Sequence, residues 1–163
     1  MDISDPKFAE VAARFKSDAG GSTFLERLKI HPVAVEKGGA TFEVTVDETH
    51  LRTMGIAHGG LVATLLDSTL GCGCWTLAPP DHHLVTVQLS VNYIRPGWLG
   101  EKLICRSEVR HAGQMTAVAR GEVRTSAGAL VAVATGTFMF LPVPGGPKPV
   151  MEKRDEMERW KTS

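Results

Sequence analysis

The chain has 163 residues, carries 18 basic and 18 acidic side chains, and is 43% apolar. These values are typical of one ordinary globular domain with a single hydrophobic core, so we predict one domain over residues 1–163. A net charge of zero provides no electrostatic attraction for nucleic acid or for an anionic membrane surface. We therefore expect no nucleic-acid partner.

The N-terminal part of the sequence predicts a short helix followed by a hairpin. Residues 4–18 offer Ser4 as an N-cap and place apolar side chains on one helical stripe, which a glycine pair ends. The stretches LERLKIHPVAVEKGG and ATFEVTVDE predict two strands that meet at Gly38 and Gly39. An antiparallel hairpin is the simplest arrangement of these two strands.

The segment 59–77 predicts the longest helix of the chain. Leucine, valine and threonine recur along it at helical spacing and keep one face apolar. Its other positions are mostly small or apolar as well, so we expect protein on nearly every side of this helix.

From His83 onward the apolar period changes to two, which predicts a long strand that ends at a Pro-Gly pair. The apolar residues predicted to share one face of this strand are Val85, Val87, Leu89, Val91 and Tyr93. Turn residues separate three further strands, over about 100–111, 115–126 and 129–141. The pattern predicts an antiparallel meander and an α+β fold, in which a curved antiparallel sheet wraps around one long central helix.

The longest apolar segment, 59–78, approaches the length of a membrane span, but Asp67 at its centre makes insertion costly. The first residues are acidic and lack the basic region and apolar run of a secretory signal. We therefore expect no membrane insertion and a cytoplasmic location.

The three cysteines predict neither a disulfide nor a metal site. Cys72 and Cys74 point to different faces of one predicted helix, and Cys105 lies on a predicted strand. The sequence contains no C-x-x-C pair and no H-E-x-x-H motif. We predict small core residues, no metal and no redox cofactor.

Asp67 is a lone carboxylate within the apolar helix. Burial of an ionised carboxylate is costly unless the group is paired or hydrogen-bonded. The nearby polar side chains in the sequence are only Thr64, Ser68 and Thr69. Asp67 therefore needs a distant partner or a chemical role, unless it bonds a backbone group or faces solvent.

His58 is a candidate partner for Asp67, but not within one chain. Nine positions on an ideal helix correspond to about 13.5 Å along the axis and about half a turn around it. The two side chains meet only if the His58 end of one chain reaches Asp67 of another, as in a two-fold dimer with antiparallel helices. This hypothesis predicts an obligate dimer with two composite sites.

Gly59 and Gly60 follow His58 where the predicted helix begins. Backbone N–H groups there have no intrahelical partner, and no side chain blocks the approach of a ligand. Such a helix end favours negative charge, including the oxyanion that develops on a carbonyl under attack. An acid from across the interface could attack directly or activate a water, which describes acyl transfer to water.

Three motifs together resemble one family. They are the H-G-G-x-x-x-x-x-x-D helix, the strand V-T-V-Q-L-S-V-N-Y-I-R-P-G and the later stretch A-x-A-T-G-T-F. This pattern resembles the hotdog-fold acyl-CoA thioesterases of the phenylacetate-pathway (PaaI-like) branch. The resemblance covers roughly 24–141, which makes 142–163 a tail, and implies a homotetramer built from hotdog dimers.

The resemblance also implies roles for individual residues. Gly59 would donate its backbone N–H to the thioester carbonyl, His58 would orient the site, and Asp67 of the neighbouring chain would be nucleophile or general base. Thr86 falls where many members place a Ser or Thr that positions the water. Many relatives have Asn six residues before the histidine, whereas this chain has Arg52. Either Arg52 takes over a polarising role or that contact is lost.

Coenzyme A carries phosphates, so basic residues near strand ends are candidates for binding it. The family places the nucleotide near the strand-end loops, which favours Arg95 and the turn from Arg110 to Gly113. Besides Arg52, the predicted substrate-binding residues are Gly60, Arg95, Arg110, His111 and Gly113.

The resemblance thus implies hydrolysis of an aryl- or medium- or long-chain acyl-CoA to free acid and coenzyme A, without a cofactor other than the coenzyme A of the substrate. A hotdog hydratase or dehydratase of enoyl or 3-hydroxyacyl thioesters is an alternative, since a His and an acid can share proton transfer there. A non-catalytic acyl-CoA binding module is a second alternative, which Arg52 in place of Asn favours.

Overall fold

The computed structural model describes residues 24–79 and 82–142. In chain order its elements are α1 (Phe24–Arg27), β1 (His31–Glu36), β2 (Gly39–Thr45), α2 (Gly59–Trp75), β3 (His82–Tyr93), β4 (Lys102–Ala112), β5 (Thr116–Thr125) and β6 (Leu130–Pro142). Two short 3-10 turns, Glu48–His50 and Thr53–Gly55, lie in the connection before α2. The predicted leading helix 4–18 and the tail after residue 142 lie outside the described residues.

The central helix and the four strands after it are confirmed, each with ends within two residues of the prediction. The prediction for the first strand is wrong at its start, because Phe24–Arg27 forms a helical turn. Lys29 closes this turn in the left-handed region at φ 52°, and the Ile30 N–H donates to the Leu25 carbonyl at 3.0 Å. These bonds form a Schellman-type helix end, so β1 begins only at His31.

The six strands form one antiparallel sheet in the order β1-β2-β4-β5-β6-β3. The α+β prediction is confirmed, and β4, β5 and β6 form the predicted meander. The first long strand, however, does not pair with its successor. β3 crosses to the far edge of the sheet and pairs with β6, while β4 takes the place beside β2.

A β-bulge divides β3 into two halves, and side chains at even positions face the core before the bulge, whereas those at odd positions face it after the bulge. The register against β6 shifts between Thr86 and Gln88, so one extra residue, Val87, interrupts the alternation. Leu84 before the bulge packs against the core, and so do the two apolar residues after it, Leu89 and Val91. The prediction that Val85 and Val87 share the face of Leu89 is wrong, since these two valines are 40% and 55% exposed.

Helix α2 lies across the inner face of the sheet and approaches it closely near its C-terminal end. A side chain at Gly73 would meet the Ser107 hydroxyl at 2.8 Å, so only glycine fits there. Ser107 in turn donates to the Thr69 carbonyl at 2.9 Å and accepts from the Ala40 N–H at 3.1 Å. One hydroxyl thereby joins the helix to two strands.

One face of α2 remains open in the single chain. The predicted core residues of the helix are fully buried, among them Leu65, Leu66 and Leu70. The opposite face is only half-buried, and its residues are Ala63, Thr64, Asp67 and Ser68. The expectation of protein on nearly every side is therefore not met by a single chain. No helix among the described residues is long and apolar enough to cross a bilayer.

The three cysteines are buried thiols, as predicted. Burial raises the pKa of each thiol to about 12, because a thiolate in apolar surroundings loses its hydration. These residues, Cys72, Cys74 and Cys105, therefore serve as small core side chains.

Candidate active site

Helix α2 begins in the His58-Gly59-Gly60 motif. His58 is the N-cap in extended conformation, and its Nδ1 accepts a hydrogen bond from the Gly60 N–H at 2.9 Å. A side chain at Gly60 would lie 2.9 Å from Nδ1, so glycine makes this cap possible. The cap occupies one of the two glycine donors, and Gly59 N–H is the donor left without an acceptor among residues 24–79 and 82–142.

Asp67 has a hydrogen-bond partner that is distant in sequence. The Thr86 hydroxyl on β3 donates to Asp67 Oδ1 at 2.9 Å, across 19 positions of the same chain. The sequence alone suggests no such contact, because Thr86 comes to lie beside the helix only through the pairing of β3 with β6 at the edge of the sheet. A carboxylate oxygen held by one hydroxyl keeps its second oxygen available, and the half-buried position leaves this carboxylate accessible.

The loop before the helix is anchored on a buried imidazole. The His58 N–H donates to the His50 carbonyl at 2.8 Å, and His50 Nδ1 accepts from the Asp47 N–H at 3.1 Å. Asp47 also binds the Lys29 ammonium at 2.5 Å and accepts from the Thr49 N–H at 2.9 Å. Hydrogen bonds from Lys29 and Thr49 hold the pKa of the Asp47 carboxyl well below its ordinary value, and Lys29 has a larger effect than Thr49. The helix tip thus rests on a fixed backbone.

A groove of about 620 Å³ runs past the helix tip. Its lining includes the tip itself, the end of β3 and the turn after it, and the predicted residues that it brings together are Arg52, His58, Gly59, Gly60 and Arg95. The Arg95 guanidinium lies 3.9 Å from the Glu101 carboxylate. No acceptor for the Arg52 side chain is found in the part of the chain that the structure describes.

Three other predicted binding residues, Arg110, His111 and Gly113, lie far from this groove within one chain. The Val109 N–H donates to the Gly38 carbonyl, and the Gly38 N–H donates to the Thr76 hydroxyl, which lies just beyond the C-terminal end of α2. A helix of 17 residues is about 25 Å long, so the β4-β5 turn and the His58 tip lie at opposite ends of one subunit.

Arg110 is also engaged in an ion pair. Its guanidinium and that of Arg120 both bind the Glu108 carboxylate at 2.7 Å. Both guanidinium groups lower the pKa of Glu108, and Arg120 has a larger effect than Arg110. A phosphate would have to compete with Glu108 for this guanidinium. Among the described residues, no group of three or more His, Cys, Asp or Glu side chains could hold a metal ion.

The Thr86 and Tyr93 side chains both contact α2. The Tyr93 hydroxyl donates to the Gly59 carbonyl at 3.0 Å, and Tyr93 lines the groove. Tyr93 was not among the predicted site residues. A strictly alternating strand places Thr86 and Tyr93 on opposite faces, and only the bulge between them brings both to the helix.

Comparison with known proteins assigns the family. Residues 54–132 match the thioesterase superfamily model. A putative esterase of Archaeoglobus fulgidus is 30% identical over 115 residues, which cover 69% of this chain and 71% of the relative. The chain belongs to the thioesterase superfamily. The predictions of a hotdog fold and of a thioester hydrolase are thereby confirmed.

Other relatives of this thioesterase carry more specific names. Human acyl-coenzyme A thioesterase 13 is 34% identical over 91 residues, or 55% of this chain and 63% of the relative. A mutant of the phenylacetic acid degradation protein PaaI from Thermus thermophilus superposes with a TM-score of 0.67 at 31% identity, over 72% of this chain and 98% of its own. The protein smu.793 of Streptococcus mutans, solved with bound acetyl CoA, gives 0.67 at 29% identity, over 77% and 96%. The PaaI-like assignment is confirmed.

Proposed function

We propose that this thioesterase hydrolyses an acyl or aryl thioester of coenzyme A at a site that two subunits share. The observation that carries the proposal is the accessible Asp67 carboxylate, oriented by the Thr86 hydroxyl in a chain of the thioesterase superfamily. The acyl-coenzyme A thioesterases among its relatives and the acetyl CoA bound to the Streptococcus mutans protein support coenzyme A as the leaving group.

The chemistry follows from the two helix features. A thioester carbonyl oxygen at the tip would accept from the Gly59 N–H, where the positive end of the helix dipole stabilises a developing oxyanion. Asp67 of the other subunit would remove a proton from water as the water oxygen bonds to the carbonyl carbon, or would attack that carbon itself. The carbon–sulfur bond then breaks, and the coenzyme A thiolate takes up a proton. In the second route, water then hydrolyses the mixed anhydride between Asp67 and the acyl group and regenerates the carboxylate, so both routes end in free acid and thiol.

A second copy of the chain is required by this mechanism. Asp67 and His58 are nine residues apart, about 13.5 Å along the helix, so one subunit cannot bring both to one carbonyl. The open face of α2 and the twelve-residue edge strand β3, with its exposed Val85 and Val87, support association through this side. We infer a two-fold dimer, and two such dimers would form the tetramer implied by the resemblance.

The phosphates of coenzyme A are proposed to bind arginines at the rim of the groove. Arg52 and Arg95 both line it. The described residues offer Arg52 no carboxylate partner, and Arg95 has only the 3.9 Å ion pair with Glu101. In a dimer with antiparallel helices, the β4-β5 turn of the other subunit would approach this rim, which would add Arg110, His111 and Gly113. Arg52 stands where many relatives have Asn, so it would polarise the thioester or bind a phosphate.

The test is turnover by purified wild type and Asp67→Asn on acetyl-, octanoyl-, palmitoyl- and phenylacetyl-CoA, followed through release of free thiol. Glu122→Gln is the matched control, because it also replaces a carboxylate by the corresponding amide, but on the outer face of the sheet, where Glu122 binds Arg124. We expect Asp67→Asn to lose activity by at least about a hundredfold, since it removes the group that acts on water.

Other results of the same experiment exclude the proposal. Equal turnover by Asp67→Asn and wild type would contradict the role of Asp67. With trans-2-octenoyl-CoA and 3-hydroxyoctanoyl-CoA as added substrates, gain or loss of water without release of thiol would indicate the hydratase or dehydratase. Tight binding of acyl-CoA by the wild type without turnover would indicate the binding module.

A further inference from the structure

Tyr93 is the single tyrosine of the chain and stands at the end of β3. Its hydroxyl donates to the Gly59 carbonyl at 3.0 Å, although the side chain is 54% exposed. Its ring carbons lie 3.5 Å and 3.6 Å from the place where a Gly59 side chain would begin. A side chain at position 59 would therefore be in van der Waals contact with the ring.

The bulge in β3 accounts for this contact. Thr86 and Tyr93 are seven positions apart, an odd number, which places two side chains on opposite faces of a regular strand. The extra residue at Val87 reverses the alternation, so both hydroxyls face α2. β3 thus holds the helix at two points, the carboxylate of Asp67 and the backbone of Gly59. These two points are the ones that the proposed reaction uses.

The helix tip needs such a contact because two glycines form its first turn. Glycine adopts many backbone conformations, so a Gly-Gly start does not by itself fix the direction of its N–H groups. The His58 side chain fixes Gly60 by accepting its N–H. The Gly59 carbonyl, which accepts from Tyr93, belongs to the same peptide group as the Gly60 N–H, so Tyr93 and His58 hold this group from both sides and fix the ψ angle of Gly59, whose own N–H is free.

We propose that Tyr93 is a positioning residue that, through the Gly59 carbonyl, keeps the Gly59 N–H directed into the groove. The proposal rests on the proposed function, in which that N–H binds the thioester oxygen. Tyr93 does not itself touch the reacting atoms in this scheme. Loss of its hydroxyl should therefore affect the stabilisation of the transition state more than the binding of coenzyme A.

The experiment compares wild type, Tyr93→Phe, Ser90→Ala and Asp67→Asn with octanoyl-CoA as substrate. Ser90→Ala is the control, since it also removes an exposed hydroxyl from β3, on the face away from the helix. For Tyr93→Phe we expect kcat to fall about threefold to tenfold, the range of one hydrogen bond, with KM changed by less than about twofold. Ser90→Ala should match the wild type in both constants.

Amide hydrogen exchange supplies a second readout that does not depend on turnover. Tyr93→Phe should exchange faster than wild type at the start of α2 and equally elsewhere, because the change loosens the first turn only. The melting temperature should stay close to that of Ser90→Ala. A general loss of protection would show a merely structural role and overturn the proposal.

The kinetic outcomes separate this proposal from the proposed function. If Asp67→Asn is inactive and Tyr93→Phe has the kcat of wild type, the positioning role is refuted while the hydrolase proposal stands. A rise in KM at constant kcat would make Tyr93 a wall of the binding groove and would also refute the role. If Asp67→Asn hydrolyses octanoyl-CoA like wild type, both proposals fail.

Discussion

The contact between Thr86 and Asp67 gives the sharpest prediction about the chemistry. Thr86 lies on the edge strand, and its hydroxyl donates to Asp67 Oδ1 at 2.9 Å. Thr86→Val removes this donor and keeps the shape of the side chain, so the strand should remain in place. Thr86→Ser keeps the donor and removes only a methyl group, which makes it the matched control.

The expected magnitude follows from the charge and exposure of Asp67. A hydrogen bond to a charged group contributes about 1.5–3 kcal/mol. Asp67 is half-buried, so water partly replaces the hydroxyl, and we expect the low end of this range. About 1.4–2 kcal/mol corresponds to a decrease in kcat of about tenfold to thirtyfold for Thr86→Val. Thr86→Ser should stay within about threefold of wild type.

The assay is thiol release from octanoyl-CoA with a thiol-reactive dye. The three cysteines are buried and their pKa is raised to about 12, so the folded enzyme contributes little background colour. A Thr86→Val enzyme with the kcat of wild type would refute the idea that this hydroxyl orients the Asp67 carboxylate for its role as base or nucleophile. A Thr86→Ser enzyme as slow as Thr86→Val would show that the methyl group matters instead.

Two predictions concern stability. Gly121→Ala should lower the free energy of unfolding by about 1–3 kcal/mol, because the new methyl group would lie 2.5 Å from Leu70 Cδ1. Denaturant titrations should show a smaller loss when Gly121→Ala is made in a Leu70→Ala background. If the losses of the two single variants simply add in the double variant, the clash is contradicted. Lys29 and Thr49 lower the pKa of Asp47, so the stability that its carboxylate provides is complete above about pH 4 and disappears as the pH falls through the lowered pKa. The difference in free energy of unfolding between wild type and Asp47→Asn should therefore be constant from about pH 5 to 7 and shrink below about pH 4, and a constant difference down to pH 2 would refute this linkage.

The sequence predicts the elements of the fold better than their arrangement. Periodicity identifies helix α2 and the four strands after it because each is long and regular. It does not reveal that β3 pairs with β6 at the sheet edge, since strand order depends on contacts between remote residues. It also misses the turn at Phe24–Arg27, where Leu25 and Leu28 fit either a helix or a strand and pack against the core as a helix.

The site shows the same division between local and long-range information. The spacing of His58 and Asp67 is local, so helix geometry alone predicts that two chains must meet. The pairing of Thr86 with Asp67 and of Tyr93 with Gly59 depends on one extra residue in β3. A sequence with apolar residues on both sides of that point does not reveal a bulge.

Subunit complementation tests the shared site most directly. Asp67→Asn and His58→Ala are purified separately, shown to be inactive, and mixed under conditions that exchange subunits, with each variant alone as the control. Half of the randomly formed dimers contain one chain of each kind, and a shared site leaves one of their two centres intact. We therefore predict recovery of about a quarter of wild-type activity. No recovery, despite demonstrated exchange of subunits, would contradict a reaction centre built from two chains.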